Sequence, residues 1–232
     1  IKYKACFKIG EMEYCKCEGE IIVTAIRFCI WDVGQVIYPY SLNPLNEYCR
    51  RKSVNQERFA AGGGVKTFNY DPFMRGEVTY EEFCRDLCDH CGIIYTPETG
   101  QDINREMRRG AGRIFAETSE AILYLRQQGI TNAILSNALP NLVDAAKGLV
   151  TDDGLIAADK AFCSFDFGLL KPDPRIFKAV LDKLQAKPDE VIFVDDKSDN
   201  VEGAQSLGIH GIVFERASIL PQIKSLLAAA GR

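Results

Sequence analysis

Short runs of apolar residues alternate with longer amphipathic segments along most of this chain. Five runs have the length and composition of buried strands: residues 22–31, 132–136, 161–165, 191–195 and 211–214. From residue 118 onwards, helices alternate with the last four of these strands: they are indicated over 118–128, 140–147, 173–185, a stretch that ends at Gly208, and the residues from about 218. Strands that alternate with helices predict right-handed crossovers and a parallel sheet with helices on both faces.

Residues 40 to about 117 interrupt this alternation and show helical signals without a strand signal. The clearest helix covers 80–91, because Thr79 and Glu82 form a capping box before it and Gly92 follows it. Further helices are indicated over 43–50, 55–61 and 97–108.

These patterns predict an α/β protein whose core is a Rossmann-like, three-layer parallel sheet formed by residues 21–38 and 118–232. The helical block, residues 39–117, is predicted to be a cap domain inserted over that sheet. Residues 1–20 show no clear period and are predicted to be an N-terminal extension.

The composition, 47% hydrophobic and 26% charged over 232 residues, is typical of a globular protein. A net charge of −4 argues against a general nucleic-acid or membrane-surface binder. The longest apolar stretch, 20–31, is interrupted by Arg27 and is too short to span a membrane. With no signal-peptide pattern and nine scattered cysteines, we expect reduced thiols in a cytoplasmic protein. No pattern indicates an oligomeric state.

Polar residues follow three of the predicted strands at the point where each strand ends. They are Asp32, the pair Ser136-Asn137, and the pair Asp195-Asp196. The carboxyl ends of parallel strands form the ligand-binding edge of a sheet, and two adjacent carboxylates repel unless a cation lies between them. Because hard oxygen ligands favour Mg²⁺, and such a site usually serves a phosphate, a metal site is one interpretation.

An ordinary structural interpretation stands beside it. The Asp195-Asp196 pair fits equally well a polar strand-to-helix turn in which Asn200 is the helix N-cap. Asp32 on its own fits a turn residue that accepts hydrogen bonds from its own backbone.

Lys171 lies in the segment Gly168-Leu-Leu-Lys-Pro-Asp-Pro174, where the following proline favours an extended backbone. A lysine held there can neutralise a phosphate, although a solvated surface lysine is the default for this residue type. Taken together, a carboxylate nucleophile, Mg²⁺ and the donors of a hydroxyl, an amide and a lysine form a coherent phosphoryl-transfer site. An aspartyl-phosphate intermediate would divide the reaction into two easier steps.

Four motifs in order, with a helical block between the first two, resemble those of the haloacid dehalogenase-like hydrolases. They are Trp31-Asp32-Val-Gly-Gln-Val, Leu135-Ser136-Asn137, Gly168-Leu-Leu-Lys171-Pro-Asp-Pro and Phe193-Val-Asp195-Asp196-Lys-Ser-Asp-Asn200. The resemblance implies a Mg²⁺-dependent phosphatase acting on a small phosphorylated metabolite. It implies Asp32 as nucleophile and metal ligand, Ser136 and Asn137 as phosphate contacts, Lys171 as the cation near both, Asp196 as the main further metal ligand with Asp195 beside it, and Asn200 as an outer-shell partner.

Gly34 departs from the family pattern, because most of its phosphatases carry an aspartate there as general acid and base. The carbonyl of Gly34 can still serve as a metal ligand, but proton transfer has no obvious donor. The sequence looks closest to the sugar-1-phosphate phosphatases that resemble the N-terminal domain of soluble epoxide hydrolase, whose first motif is also Asp-x-Gly-x-Val. A sugar phosphate is therefore the first expectation for the substrate, since an anomeric oxygen leaves more easily than an ordinary alcohol.

Two other functions stay open: a binding protein that kept the fold without the general acid, and a haloacid dehalogenase, against which the paired aspartates argue. Cys84, Cys88 and Cys91 have the spacing of an iron–sulfur motif but fall on one helix face, so buried packing is favoured. The remaining candidates are cap residues Tyr70, Phe73 and Arg75, which fit substrate contacts and core or surface positions equally well, His90 as an exposed or packed residue, and His210 as a structural residue.

Overall fold

A parallel β-sheet forms the centre of the computed structural model, which describes residues 5–9, 12–16, 26–138 and 160–230. The described strands are β1 (Ala5–Ile9), β2 (Met12–Lys16), β3 (Phe28–Trp31), β4 (Thr131–Ser136), β5 (Ala161–Cys163), β6 (Val191–Asp195) and β7 (His210–Val213). Strands β1 and β2 pair with each other in antiparallel orientation. The other five form one sheet in the order β5-β4-β3-β6-β7, and every pair is parallel.

Helices make up most of the remaining described chain. They are α1 (Asn43–Lys52), α2 (Gln56–Ala61), α3 (Asp71–Met74), α4 (Tyr80–Cys91), α5 (Pro97–Arg109), α6 (Ala116–Gln127), α7 (Pro174–Leu184), α8 (Ser198–Gln205) and α9 (Ile219–Ala229). Short 3-10 turns occur at Gly64–Thr67, Ser164–Asp166 and Pro188–Glu190. Within the described ranges, no helix has both the length and the apolar character that crossing a membrane requires.

Alternating side chains of the central strand β3 point to opposite faces of the sheet. Cys29 and Trp31 belong to a buried cluster with α6 and α9, whereas Phe28 and Ile30 belong to a second cluster with α7 and α8. All four residues are buried, as expected for a parallel sheet that is covered on both faces. The predicted three-layer α/β architecture is therefore confirmed.

The helical block between β3 and α6 has a hydrophobic cluster of its own, which includes Phe83, Leu87 and Ile103. Its strongest predicted helix, α4, has the expected capping box: Glu82 N–H donates to Thr79 Oγ1 at 3.2 Å, and Thr79 N–H donates to the Glu82 carboxylate at 2.7 Å. Residues 41–115 contain helices and turns but no strand, which confirms a helical insertion. The exact domain boundaries at 38 and 118 stay a prediction.

Several details differ from the sequence-based expectations. The β1–β2 pair was not expected in the N-terminal extension, because its sequence has no clear alternation. The third predicted strand ends at Cys163 instead of residue 165, since the chain turns into the 3-10 helix there. The first strand begins at Phe28, and residues 22–25 of its predicted range lie outside the described residues, as does the predicted helix 140–147.

Candidate active site

The order and register of the strands bring the sequence-predicted site residues together. Strand β3 lies between β4 and β6, and Trp31 pairs with Ile134 on one side and Val194 on the other. The residue after Trp31 is Asp32, which is therefore level with the ends of both neighbouring strands, close to Ser136 and Asp195. We call Asp32, Ser136, Lys171, Asp195 and Asp196 the site floor.

Lys171 is the buried centre of this floor. Its Nζ donates to Asp32 Oδ1 at 2.6 Å, to Asp195 Oδ2 at 2.6 Å and to the carbonyl oxygen of Leu135 at 2.8 Å. An ammonium has three protons, so all of them already have protein acceptors. Lys171 is 4% exposed, and the default interpretation as a solvated lysine is wrong. In this structure it bridges the carboxylates at the ends of two neighbouring strands.

Asn137 fixes the loop that carries Lys171. Its side-chain amide donates to the Lys171 carbonyl oxygen at 2.9 Å, and its side-chain oxygen accepts from the Lys171 N–H at 2.9 Å. Both polar atoms of the side chain are thus engaged with the backbone of one residue. Asn137 was expected to contact phosphate directly, but the geometry shows a positioning contact, and the phosphate contact stays a prediction.

Asp195, the first of the two adjacent aspartates, is fixed in place by hydrogen bonds. Asn200 Nδ2 donates to both of its carboxylate oxygens at 3.0 Å, and the Lys197 N–H donates to Oδ1 at 2.9 Å. Asn200 lies inside α8 and is not its N-cap, so the alternative of a turn capped by this residue is wrong. Its amide instead orients a floor carboxylate, and its role in the outer shell of a metal stays a prediction.

Asp32, Asp195 and Asp196 offer oxygen atoms that all lie within 4.8 Å of one another. Among the described residues, this is the only such group of three or more potential metal ligands. Sequence reasoning favoured Asp196 over Asp195 as a ligand, whereas the geometry places an oxygen of each beside Asp32. Gly34 lines a cavity together with these three aspartates, and metal ligation by its carbonyl stays a prediction.

The charges of the floor do not balance. Burial raises the pKa of Asp32, although the Lys171 ammonium opposes part of that shift. Burial alone would lower the pKa of Lys171, but Asp32 and Asp195 together outweigh it and raise the pKa. Burial, and after it the charge of Asp195, raises the pKa of Asp196. Three carboxylates thus face one buried ammonium, and a hard divalent cation such as Mg²⁺ fits both the oxygen donors and the excess negative charge.

A cavity of about 350 Å³ opens above the floor. Its lining also includes Tyr38, Tyr40, Leu42, Tyr70 and Met74, which we call the cavity wall. Tyr70 is thus the predicted cap residue that reaches the cavity, where its hydroxyl donates to the Val65 carbonyl at 2.9 Å.

The two other predicted cap contacts, Phe73 and Arg75, do not line the cavity. Phe73 stacks on Phe83 within the cap at 4.4 Å between ring centroids. Arg75 forms ion pairs with Glu77 and Asp71 on the cap surface.

The cysteine and histidine candidates lie outside this site. Cys84, Cys88 and Cys91 are buried in the hydrophobic cluster of the cap, which confirms the packing interpretation. His90 Nε2 lies 3.0 Å from the Gly64 carbonyl oxygen, and His210 Nε2 lies 3.1 Å from that of Asp189. Both histidines therefore have structural contacts.

Comparison with known proteins agrees with the fold and the motifs. A sequence model of the haloacid dehalogenase-like hydrolases matches residues 26–208, most of the chain. The chain belongs to this family. A solved structure with the family's fold is a HAD family enzyme from Bacteroides thetaiotaomicron, at a TM-score of 0.67 and 20% identity over 86% of this chain and 99% of that one. That crystal structure is a complex with magnesium and inorganic phosphate.

Curated relatives of this chain include proteins that are much longer than the matched region. Drimenol cyclase drtB of Aspergillus calidoustus is 41% identical over 82% of this chain and 34% of its own length. Bifunctional epoxide hydrolase 2 of Rattus norvegicus is 26% identical over 87% of this chain and 39% of its own length. Sesquiterpene phosphatase astK of Aspergillus oryzae is 25% identical over 82% of this chain and 90% of its own length. The chain thus spans well under half of the first two relatives.

Proposed function

We propose that this family member is a Mg²⁺-dependent phosphatase that hydrolyses a phosphate monoester through an aspartyl-phosphate intermediate. The observation that carries the proposal is the floor itself, in which Asp32, Asp195 and Asp196 surround one side of the cavity and Lys171 bridges two of them. Phosphoryl transfer depends mainly on positioning and on stabilising charge, and the floor supplies both.

Asp32 is the proposed nucleophile. A carboxylate oxygen of Asp32 attacks phosphorus, the bond between phosphorus and the substrate's ester oxygen breaks, and that oxygen leaves with the electron pair and takes up a proton. Water then attacks phosphorus, which releases phosphate and restores the carboxylate. Lys171 holds Asp32 in place through its 2.6 Å contact, while Ser136 and Asn137 at the end of β4 are the proposed phosphate contacts.

Asp32, Asp195 and Asp196 are the residues that would hold Mg²⁺. When bound, Mg²⁺ would neutralise charge on the transferring phosphoryl group. The bacterial HAD family enzyme in complex with magnesium and phosphate supports this assignment by analogy of fold. The unbalanced carboxylates of the present chain support it independently.

The cavity wall favours a substrate whose organic part is largely apolar. Leu42 and Met74 offer no hydrogen bonds, and the Tyr70 hydroxyl is already bonded to the backbone. A sugar would need several polar partners for its hydroxyl groups, because buried polar groups without partners are costly. The relative named as a sesquiterpene phosphatase supports the same substrate class. We therefore favour an alkyl or isoprenoid monophosphate over the sugar phosphate that the sequence suggested.

Phosphate release tests the proposal. We expect Mg²⁺-dependent release from decyl phosphate and farnesyl monophosphate, with lower kcat/KM for hexose 1-phosphates and no release in the presence of EDTA. A preference for hexose 1-phosphates would overturn the apolar substrate class alone. No release from any of these compounds would instead favour a binding protein, which Mg²⁺-dependent binding of inorganic phosphate without turnover would identify.

A further inference from the structure

The phosphate of a substrate needs a positive charge that Lys171 does not offer. All three protons of this buried ammonium already go to Asp32, Asp195 and the Leu135 carbonyl oxygen. A phosphate monoester is close to a dianion at neutral pH. Mg²⁺ bound at the floor would offset the excess charge of the carboxylates there, which leaves the charge of the phosphate itself to be balanced. A further cation is therefore expected on the cavity lining.

Lys197 is the second cation of the cavity. Among the described residues that line the cavity, Lys171 and Lys197 are the only ones with a basic side chain. The Lys197 side chain is exposed, and its ammonium has no ion pair or hydrogen bond with any residue of the described ranges. The three donors of this group are thus available to a ligand.

The backbone places Lys197 directly beside the floor. Its N–H donates to Asp195 Oδ1 at 2.9 Å, and its carbonyl oxygen accepts from the Val201 N–H at 3.2 Å in the first turn of α8. Burial and the charge of Asp195 raise the pKa of Asp196, whereas the positive charge of Lys197 opposes that shift. The side chain thus begins at a fixed point next to the floor, while its flexible four-carbon stem leaves the ammonium free to adjust.

We propose that Lys197 is the substrate-binding cation of this chain and pairs with the phosphate group of the monoester. This inference rests on the proposed function. It divides two tasks between two lysines: Lys171 fixes the carboxylates of the floor, whereas Lys197 attracts the phosphate into the cavity and holds it beside them. No bond or proton changes at Lys197, because its ammonium acts through charge and hydrogen bonds alone.

An ion pair with the phosphate has consequences that a purely structural role lacks. The phosphate is negatively charged both before and during the reaction, so the pair stabilises the bound substrate and the transition state alike, and its loss acts on KM more than on kcat. Every ligand with a phosphate group should also lose the same share of its affinity. The cavity wall, in contrast, distinguishes ligands by their organic parts.

The test compares Lys197→Met with the wild-type enzyme in the presence of Mg²⁺. We expect KM for decyl phosphate and for 4-nitrophenyl phosphate to rise about tenfold each, with kcat changed by less than about threefold. The Kd of decylphosphonate, which has no ester bond to hydrolyse, should rise by the same factor in isothermal titration calorimetry. Lys197→Arg keeps the charge and should restore most of the affinity. Lys183→Met, at an exposed position of α7 outside the cavity, should change none of these values.

A Mg²⁺ titration separates phosphate binding from an effect that acts through Asp196. Because Lys197→Met removes a nearby positive charge, its affinity for Mg²⁺ in the absence of phosphate should stay equal or rise. A fall in Mg²⁺ affinity large enough to account for the weaker phosphonate binding would assign Lys197 to the metal site and overturn the inference.

Three further results would overturn it. They are an unchanged Kd for decylphosphonate in Lys197→Met, a loss confined to one of the two esters, and a Lys197→Arg variant that binds no better than Lys197→Met. Each of them leaves the proposed phosphatase function intact, because the wild-type enzyme would still release phosphate. Absence of release by the wild-type enzyme would overturn the proposed function, whereas the phosphonate Kd would still measure anion binding by Lys197.

Discussion

The floor and the wall of the cavity are built in different ways. In the floor, Lys171 and Asn200 hold Asp32 and Asp195 through bonds of 2.6 to 3.0 Å, and the strands fix where these side chains begin. The wall consists of apolar and phenolic side chains, and one of its hydroxyls, that of Tyr40, lacks a partner within the described ranges. The charged groups of the floor are thus fixed in position for phosphoryl transfer. The shape of the wall, in contrast, can suit a particular leaving group.

Replacing the nucleophile should have the largest effect on activity. We expect Asp32→Asn to lower phosphate release by at least about 10⁴-fold, since an amide cannot form the acyl phosphate. The circular dichroism spectrum should not change, because the side chain keeps its size. Asp182→Asn, on the exposed surface of α7, is the matched control and should keep full activity. Substantial activity of Asp32→Asn would contradict the assignment of the nucleophile.

Removing the ammonium at the centre of the floor should have the largest effect on stability. Lys171→Met leaves Asp32 and Asp195 buried without their shared partner, so we expect a loss of about 3–5 kcal/mol in the free energy of unfolding. Chemical denaturation of the Mg²⁺-free protein measures this loss. Adding Asp195→Asn to Lys171→Met should recover part of it, because one uncompensated charge is removed.

Lys178→Met, at an exposed position of α7, is the matched control for this stability measurement and should change it by less than about 0.5 kcal/mol. A loss for Lys171→Met no larger than that of the control would show that the ammonium does not stabilise the buried carboxylates.

A change in the wall should be smaller and selective for the substrate. Met74→Gln places a polar group among apolar contacts, and we expect kcat/KM for decyl phosphate to fall about tenfold, with a smaller change for 4-nitrophenyl phosphate. Steady-state kinetics with both esters gives the ratio. Val54→Gln, at a residue 73% exposed on the surface, should leave the ratio unchanged. A loss that is equal for the two esters would contradict the separation of floor and wall.

The difference between floor and wall also explains which site residues could be predicted from the sequence. Asp32, Ser136 and Asp195 were recognisable because each lies at the end of an apolar strand, and parallel strands end at one edge whatever their exact order. Lys171 was recognisable from the prolines around it, although its burial and its three protein acceptors were not.

Most residues of the wall were not predicted from the sequence. Tyr38, Tyr40 and Leu42 follow β3 in a segment without a clear period, and Met74 reaches the cavity from a helix of only four residues. Amphipathic periodicity carries little information over such short lengths, which is also why the sequence could not decide whether Phe73 and Arg75 contact the substrate or belong to the cap core and surface.

The most direct test of the central claim is to find the phosphoryl group on Asp32. The protein is mixed with decyl phosphate and Mg²⁺, quenched in acid during turnover, and digested for mass spectrometry. We expect the peptide that contains Asp32 to gain the mass of one phosphoryl group in the wild-type protein and not in Asp32→Asn. Turnover without this modification, or with the phosphoryl group on another residue, would contradict the account.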